Sequence, residues 1–122
     1  MQITLAKVIE AMKVGGYTQG RYHLLADDDN GHIIDACAIG QAALNLGVDA
    51  MDLQRALDIG ITSRKNSEAF NETVFKLNDE KKVEVSTIVE YLNKHVKAQH
   101  RTIDVRTKIY DYENWQGVKV NP

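Results

Sequence analysis

Apolar residues recur along this chain with two periods. Leu5, Val8, Ile9 and Met12 fall at i, i+3, i+4 and i+7, the spacing that lines one side of a helix. They predict a first helix to about Val14, where Gly15-Gly16 supplies a left-handed stop. Val85, Ile88, Val89, Leu92 and Val96 form the longest such stripe and predict a late amphipathic helix. Phe70, Val74 and Leu77 predict a short helix before a charged break at Asn78 to Lys82. From Arg101 to Tyr112 the period shortens to two, with Ile103, Val105 and Ile109 inward against Arg106 and Lys108, which predicts a strand. A turn over 113–117 then leads to a last strand at Val118–Val120.

The segment between the first helix and the middle of the chain carries turn chemistry. Two short β-prone runs, 20–27 and 32–35, flank Asn30-Gly31, both of which tolerate positive φ, and predict a hairpin. Asp35 is placed to cap a helix over Ala36–Leu46 that Gly47 ends. Ile39, Ala42, Ala43 and Leu46 line one face, while Cys37, Gly40, Gln41 and Leu44 line the other, so this helix belongs inside. Asp49 caps the next helix, with Val48 and Leu53 as a hydrophobic staple and Gly60 as its stop.

These elements predict one α+β domain: a small helical core over 1–98 with a β-hairpin, and a C-terminal β extension over 99–122. A chain of 122 residues, 43% apolar, is large enough to fold around one core without staples, and Cys37 has no partner for a disulfide. No run approaches the ~20 apolar residues of a membrane span, and the first residues lack a signal-peptide block, so a cytoplasmic, non-membrane protein is expected. The net charge of −2 divides unevenly: residues 1–93 carry 9 basic and 14 acidic side chains, residues 94–122 carry 6 and 3. That C-terminal excess is too small for a duplex nucleic-acid footprint.

The order of motifs resembles a family of small domains of unknown function found in bacteria and their phages. Its members carry Gly-Trp-x-Gln-Gly, a hairpin, a helix opening with Cys-Ala-x-Gly-Ala, and Asn-Asp before an amphipathic helix. Similar elements here are Gly16-Tyr17-Thr18-Gln19-Gly20, Cys37-Ala38-Ile39-Gly40-Gln41 and Asn78-Asp79, within about residues 3–98. Tyr17, Gln41 and Leu77 stand where the family has tryptophan, alanine and an aromatic residue. The resemblance implies a bacterial or phage origin and supports the fold; the family has no established activity.

Candidate chemistry concentrates beyond the resemblance. Arg101, Arg106 and Lys108, with Lys94, His95, Lys97 and His100 before them, form the best anion-binding set. Arg106 beside Tyr110 or Tyr112 would suit a nucleotide phosphate and base. Trp115 is a candidate interface anchor, and Tyr17 and Gln19 a candidate binding edge. A competing reading is a cysteine-dependent hydrolase, with Cys37 in a first helical turn, Gln19 as oxyanion donor, His95 or His100 as base and Asp104 as orienter. No papain-like signature surrounds Cys37, which also reads as a packing residue. Asp27 to Gly31 fails the register of a calcium loop, and His23, His32, His95 and His100 lack zinc spacing. No metal, cofactor or phosphate loop is expected. The chain therefore reads as a non-catalytic binding protein that blocks a host protein or sequesters a small anionic, nucleotide-like ligand. A homo-oligomer assembled through the C-terminal β segment is expected.

Overall fold

A computed structural model describes residues 1–12, 26–27, 33–62, 64–81 and 83–110, with 26–27 and 33–35 described in backbone alone. The first element is a strand that periodicity is too short to reveal, β1 (Gln2–Thr4). It pairs antiparallel with β4 (Thr102–Asp104), placing Ile3 opposite Ile103, both buried. Thr4 ends the strand and caps α1 (Leu5–Ala11), its Oγ1 accepting from the Lys7 N–H at 3.2 Å. Leu5, Val8, Ile9 and Met12 are all buried, as their spacing requires. The helix ends at Ala11 with Met12 as its cap, short of the expected Val14 and Gly15-Gly16, which lie outside the described residues.

The hairpin strands are β2 (Ala26–Asp27) and β3 (Ile33–Asp35), antiparallel with Ala26 opposite Asp35; the Asn30-Gly31 turn lies outside the described residues. Asp35 thus belongs to a strand, and the N-cap position of the next helix falls two residues later. That helix, α2 (Ala38–Leu46), is capped by Cys37, whose Sγ accepts from the Gly40 N–H at 3.5 Å. Gly47 ends it with φ 67°, the left-handed stop expected. Residues 36–44 are all buried, so α2 is the centre of the core. One of them is a polar residue: Gln41 is fully buried, and neither end of its carboxamide has a hydrogen-bond partner among the described residues. Asn45 ties α2 to α1 by donating to the Ala11 carbonyl at 2.8 Å.

Asp49 caps α3 (Ala50–Ala56), its Oδ1 accepting from the Asp52 N–H at 2.9 Å, while Val48 and Leu53 are both fully buried. The helix stops at Leu57, not at a left-handed glycine; Gly60 instead bridges to Ala69. Phe70 and Val74 bury α4 (Phe70–Phe75), and the charged break expected at Asn78 is a π-turn over Lys76–Glu80 with Leu77 and Asn78 turned inward. Asn78 is kept polar in the interior by its Nδ2 donating to Asp79 Oδ1 at 2.6 Å. The last helix, α5 (Val85–His95), buries Ile88, Val89 and Leu92. Together α1, α2, α3, α4 and α5 enclose one apolar cluster, closed by Ile3, Ile103 and Val105 from the β1–β4 ribbon.

The alternation of the C-terminal strand changes phase. Ile103 and Val105 face inward, but Ile109 is 98% exposed and Tyr110 is buried in its place. After Val105 the chain leaves β1 and docks on the α2–α3 connection, with Thr107 bridged to Val48 and the Lys108 N–H donating to the Gly47 carbonyl at 2.9 Å. A new partner sets a new phase.

The Asp49 cap gives a measurable pH dependence. The backbone N–H of Asp52 holds the Asp49 carboxyl below its ordinary value, so its contribution is present above the carboxylate range and lost as pH falls through it. Asp49→Ala should cost about 1 kcal/mol in urea unfolding at pH 7. The gap from wild type should narrow below about pH 4.

Candidate functional site

The basic residues at the C-terminal end are divided between two places. At the first, the Lys97 N–H donates to the Ile61 carbonyl at 3.2 Å, drawing the loop after α5 against the loop after α3. The Arg101 N–H then donates to Ala98 at 2.9 Å, and the Arg101 carbonyl accepts from Leu5 at 3.0 Å, which turns the chain into β4. Between the loops lies a cleft of about 280 Å³, with Gly60, Ile61 and Thr62 on one side and Lys97, His100 and Arg101 on the other. Buried Leu5 and Val96 also line it.

Its electrostatics are one-sided. No carboxylate is among the described lining residues. The exposed His100 ring and Arg101 guanidinium have no hydrogen-bond or ion-pair partner among the described residues, and Lys97 Nζ reaches only the Lys94 carbonyl at 3.4 Å. Thr62 accepts the Arg64 N–H on Oγ1 at 3.2 Å, leaving its own proton free to donate. The Thr62 hydroxyl, the Lys97 ammonium, the Arg101 guanidinium and a ring N–H of His100 can each donate to an anion.

At the second place the residues are engaged. The Arg106 N–H donates to Asp52 Oδ2 at 2.7 Å, its Nε lies 3.8 Å from the same oxygen, and its carbonyl accepts from Asp49 at 2.8 Å. Lys108, not Arg106, sits over the Tyr110 ring, Nζ 5.3 Å from its centroid. Tyr110 is 9% exposed and donates its hydroxyl to the Val48 carbonyl at 2.8 Å, so its ring packs against the fold. Arg106, Lys108 and Tyr110 therefore clasp the extension to the α2–α3 connection, apart from Arg101. Tyr17, Gln19, Tyr112 and Trp115 lie outside the described residues.

Cys37 is not in the activating environment expected of a first-turn thiol. It is fully buried, and burial pushes the thiol up to about 11, against smaller opposing effects of the Gly40 and Ile39 N–H groups; the Asp79 carboxylate adds to the rise. Its proposed partners are engaged elsewhere: His95 stacks on Tyr91 with centroids 4.2 Å apart, His100 lines the cleft, and Asp104 accepts from the Met1 amino group at 3.3 Å. Among the described residues no three His, Cys, Asp or Glu side chains are grouped to hold a metal ion. No described helix is long and apolar enough to cross a membrane.

Comparison with protein families, with curated proteins and with solved structures finds no match. The residue that sequence reasoning missed in the cleft is Thr62, which sits in a polar loop whose partner loop lies more than thirty residues away. A polar loop directly after a helix was the only signal it carried.

The thiol makes a direct test. A rise from 9.0 to about 11 leaves about a hundredfold less thiolate near neutral pH than a free thiol has. Iodoacetamide should label native Cys37 at least that much more slowly than the urea-unfolded chain, followed by mass spectrometry. Equal rates would contradict the packing seen here.

Proposed function

We propose that this chain is a non-catalytic binding protein that holds a small anionic, nucleotide-like ligand in the cleft between Gly60–Thr62 and Val96–Arg101. The observation that carries the reading is the grouping of Lys97, His100 and Arg101 around one concavity with no described carboxylate and a guanidinium that no described residue pairs. A guanidinium fork suits a phosphate or carboxylate, and the Thr62 hydroxyl adds a neutral donor. The volume, about 280 Å³, sits at the lower end of small-molecule sites, which favours a ligand no larger than a mononucleotide. In the cytoplasm of a bacterium or of a phage-infected host, such a protein would act by withdrawing its ligand from solution.

Calorimetric titration with adenosine monophosphate and with inorganic phosphate at low salt tests this. Arg101→Gln should weaken binding by at least about tenfold, and Arg106→Gln should leave it unchanged because that side chain faces Asp52. No binding by wild type, or equal losses in the two variants, would defeat the proposal.

A second reading, a protein partner or a second copy of the chain, is favoured by Ile109, which is 98% exposed beside Lys108. Truncation at His100 is a poor test, because it removes the strand that pairs with β1 and takes Ile103 and Val105 from the core. Light scattering on wild type and Ile109→Asp is cleaner. A self-associating protein should give a dimer or larger species that the substitution reduces to monomer; monomers in both would end the oligomer reading.

A further inference from the structure

The helix that begins at Phe70 widens before it ends. Over Lys76–Glu80 it becomes a π-turn, closed by the Lys81 N–H donating to the Lys76 carbonyl at 2.9 Å. Such turns are rare and occur frequently at functional sites. Lys81 itself is right-handed (φ −94°, ψ −15°), so this is not the left-handed cap that commonly ends a helix. The consequence concerns two side chains. On an α-helix, residues five apart point about 140° away from each other. Here Lys76 and Lys81 line one cleft of about 270 Å³, together with Glu68, Thr73, Leu77 and Tyr91.

One wall is already organised. The Glu68 carboxylate accepts from the Thr73 hydroxyl at 2.7 Å and from Lys76 Nζ at 2.6 Å, and Thr73 is only 2% exposed. Glu72 lies 3.5 Å from the same ammonium, so Lys76 is held in place with one N–H left over. The Lys81 ammonium and the Tyr91 hydroxyl have no partner among the described residues. The ring of Tyr91 is braced by His95, tilted at 36°. The Lys76 and Leu77 carbonyls accept from Lys81 and Val83, so those two do not compete for the lysine protons. Free donors thus meet an aromatic face and the apolar Leu77. Among the residues that line the cleft one carboxylate, Glu68, stands against two lysines, so it suits a single negative charge better than a dianion.

We propose that this second cleft binds a small aromatic carboxylate, its anionic group between Lys76 and Lys81 and its ring against Tyr91 and Leu77. The site is independent of the Arg101 cleft and does not rest on the function assigned there.

Titration of the full-length, 15N-labelled chain with benzoate, benzamide and inorganic phosphate, read by amide NMR shifts, tests it. Benzoate should move the Leu77, Lys81 and Tyr91 amides saturably, and benzamide and phosphate should each bind at least about tenfold more weakly. Lys81→Ala should weaken benzoate by a similar factor and change the melting temperature little, because that side chain makes no hydrogen bond or ion pair with a described residue and acts on Glu68 only through a minor charge effect. Arg101→Gln should leave benzoate binding as it is. Benzoate no tighter than benzamide, phosphate as tight as benzoate, shifts centred on His100 and Arg101, or an unaffected Lys81→Ala would each overturn the proposal.

Discussion

The pairing of Ile3 with Ile103 is the constraint on which the rest of the architecture depends. These residues lie at opposite ends of the described chain, and both are buried. Bringing them together costs the loop-closure entropy of nearly the whole domain, a cost that grows only slowly with length and is offset by burial of both side chains. Once made, the ribbon directs its neighbours. The first N–H groups of α1, at Leu5 and Ala6, donate to Arg101 and Gln99, so the helix starts against the loop after α5. That loop in turn holds the segment at Ile61 through Lys97. Both walls of the basic cleft are therefore set by a sheet of three residues per strand.

The extension beyond β4 does different work from the strand it continues. Val105 to Tyr110 runs along Gly47–Asp52 and is fixed there by the Tyr110 hydroxyl, by the Arg106 and Lys108 backbone, and by the Asp52 carboxylate. Similar side chains acquire unlike roles for this reason. Arg101 lies where the chain turns and its guanidinium meets no described partner, while five residues later Arg106 meets an acid at the start of α3.

Much of this was legible in the sequence where one local interaction decides the outcome. The stripes of α1 and α5, the Asp49 cap and the left-handed Gly47 all follow from spacing and backbone chemistry. What was not legible depends on a distant partner or on competition between near-equal choices. Asp35 is the better capping residue, yet it is taken by the hairpin, and a sulfur that accepts only weakly caps α2 at Cys37. The inward turn of Tyr110 in place of Ile109 needs the Val48 carbonyl, which no pattern within the strand reveals. The π-turn hides because Asn78, which the sequence places at the start of a charged break, is buried. In the basic cleft Lys97, His100 and Arg101 stand out as a local cluster, but Thr62 comes from another loop.

Gln41 has a consequence of a different kind. A carboxamide sealed in the core with neither end paired to a described residue forfeits about 1–3 kcal/mol for each stranded group, a sizeable part of the ~5–15 kcal/mol that holds an ordinary domain together. A leucine would occupy a similar volume without stranding a donor or an acceptor. A population of variants selected only for heat resistance would therefore converge first at the centre of α2, since few surface changes can match that gain. A fully buried position is then also one from which the fold has stability to recover.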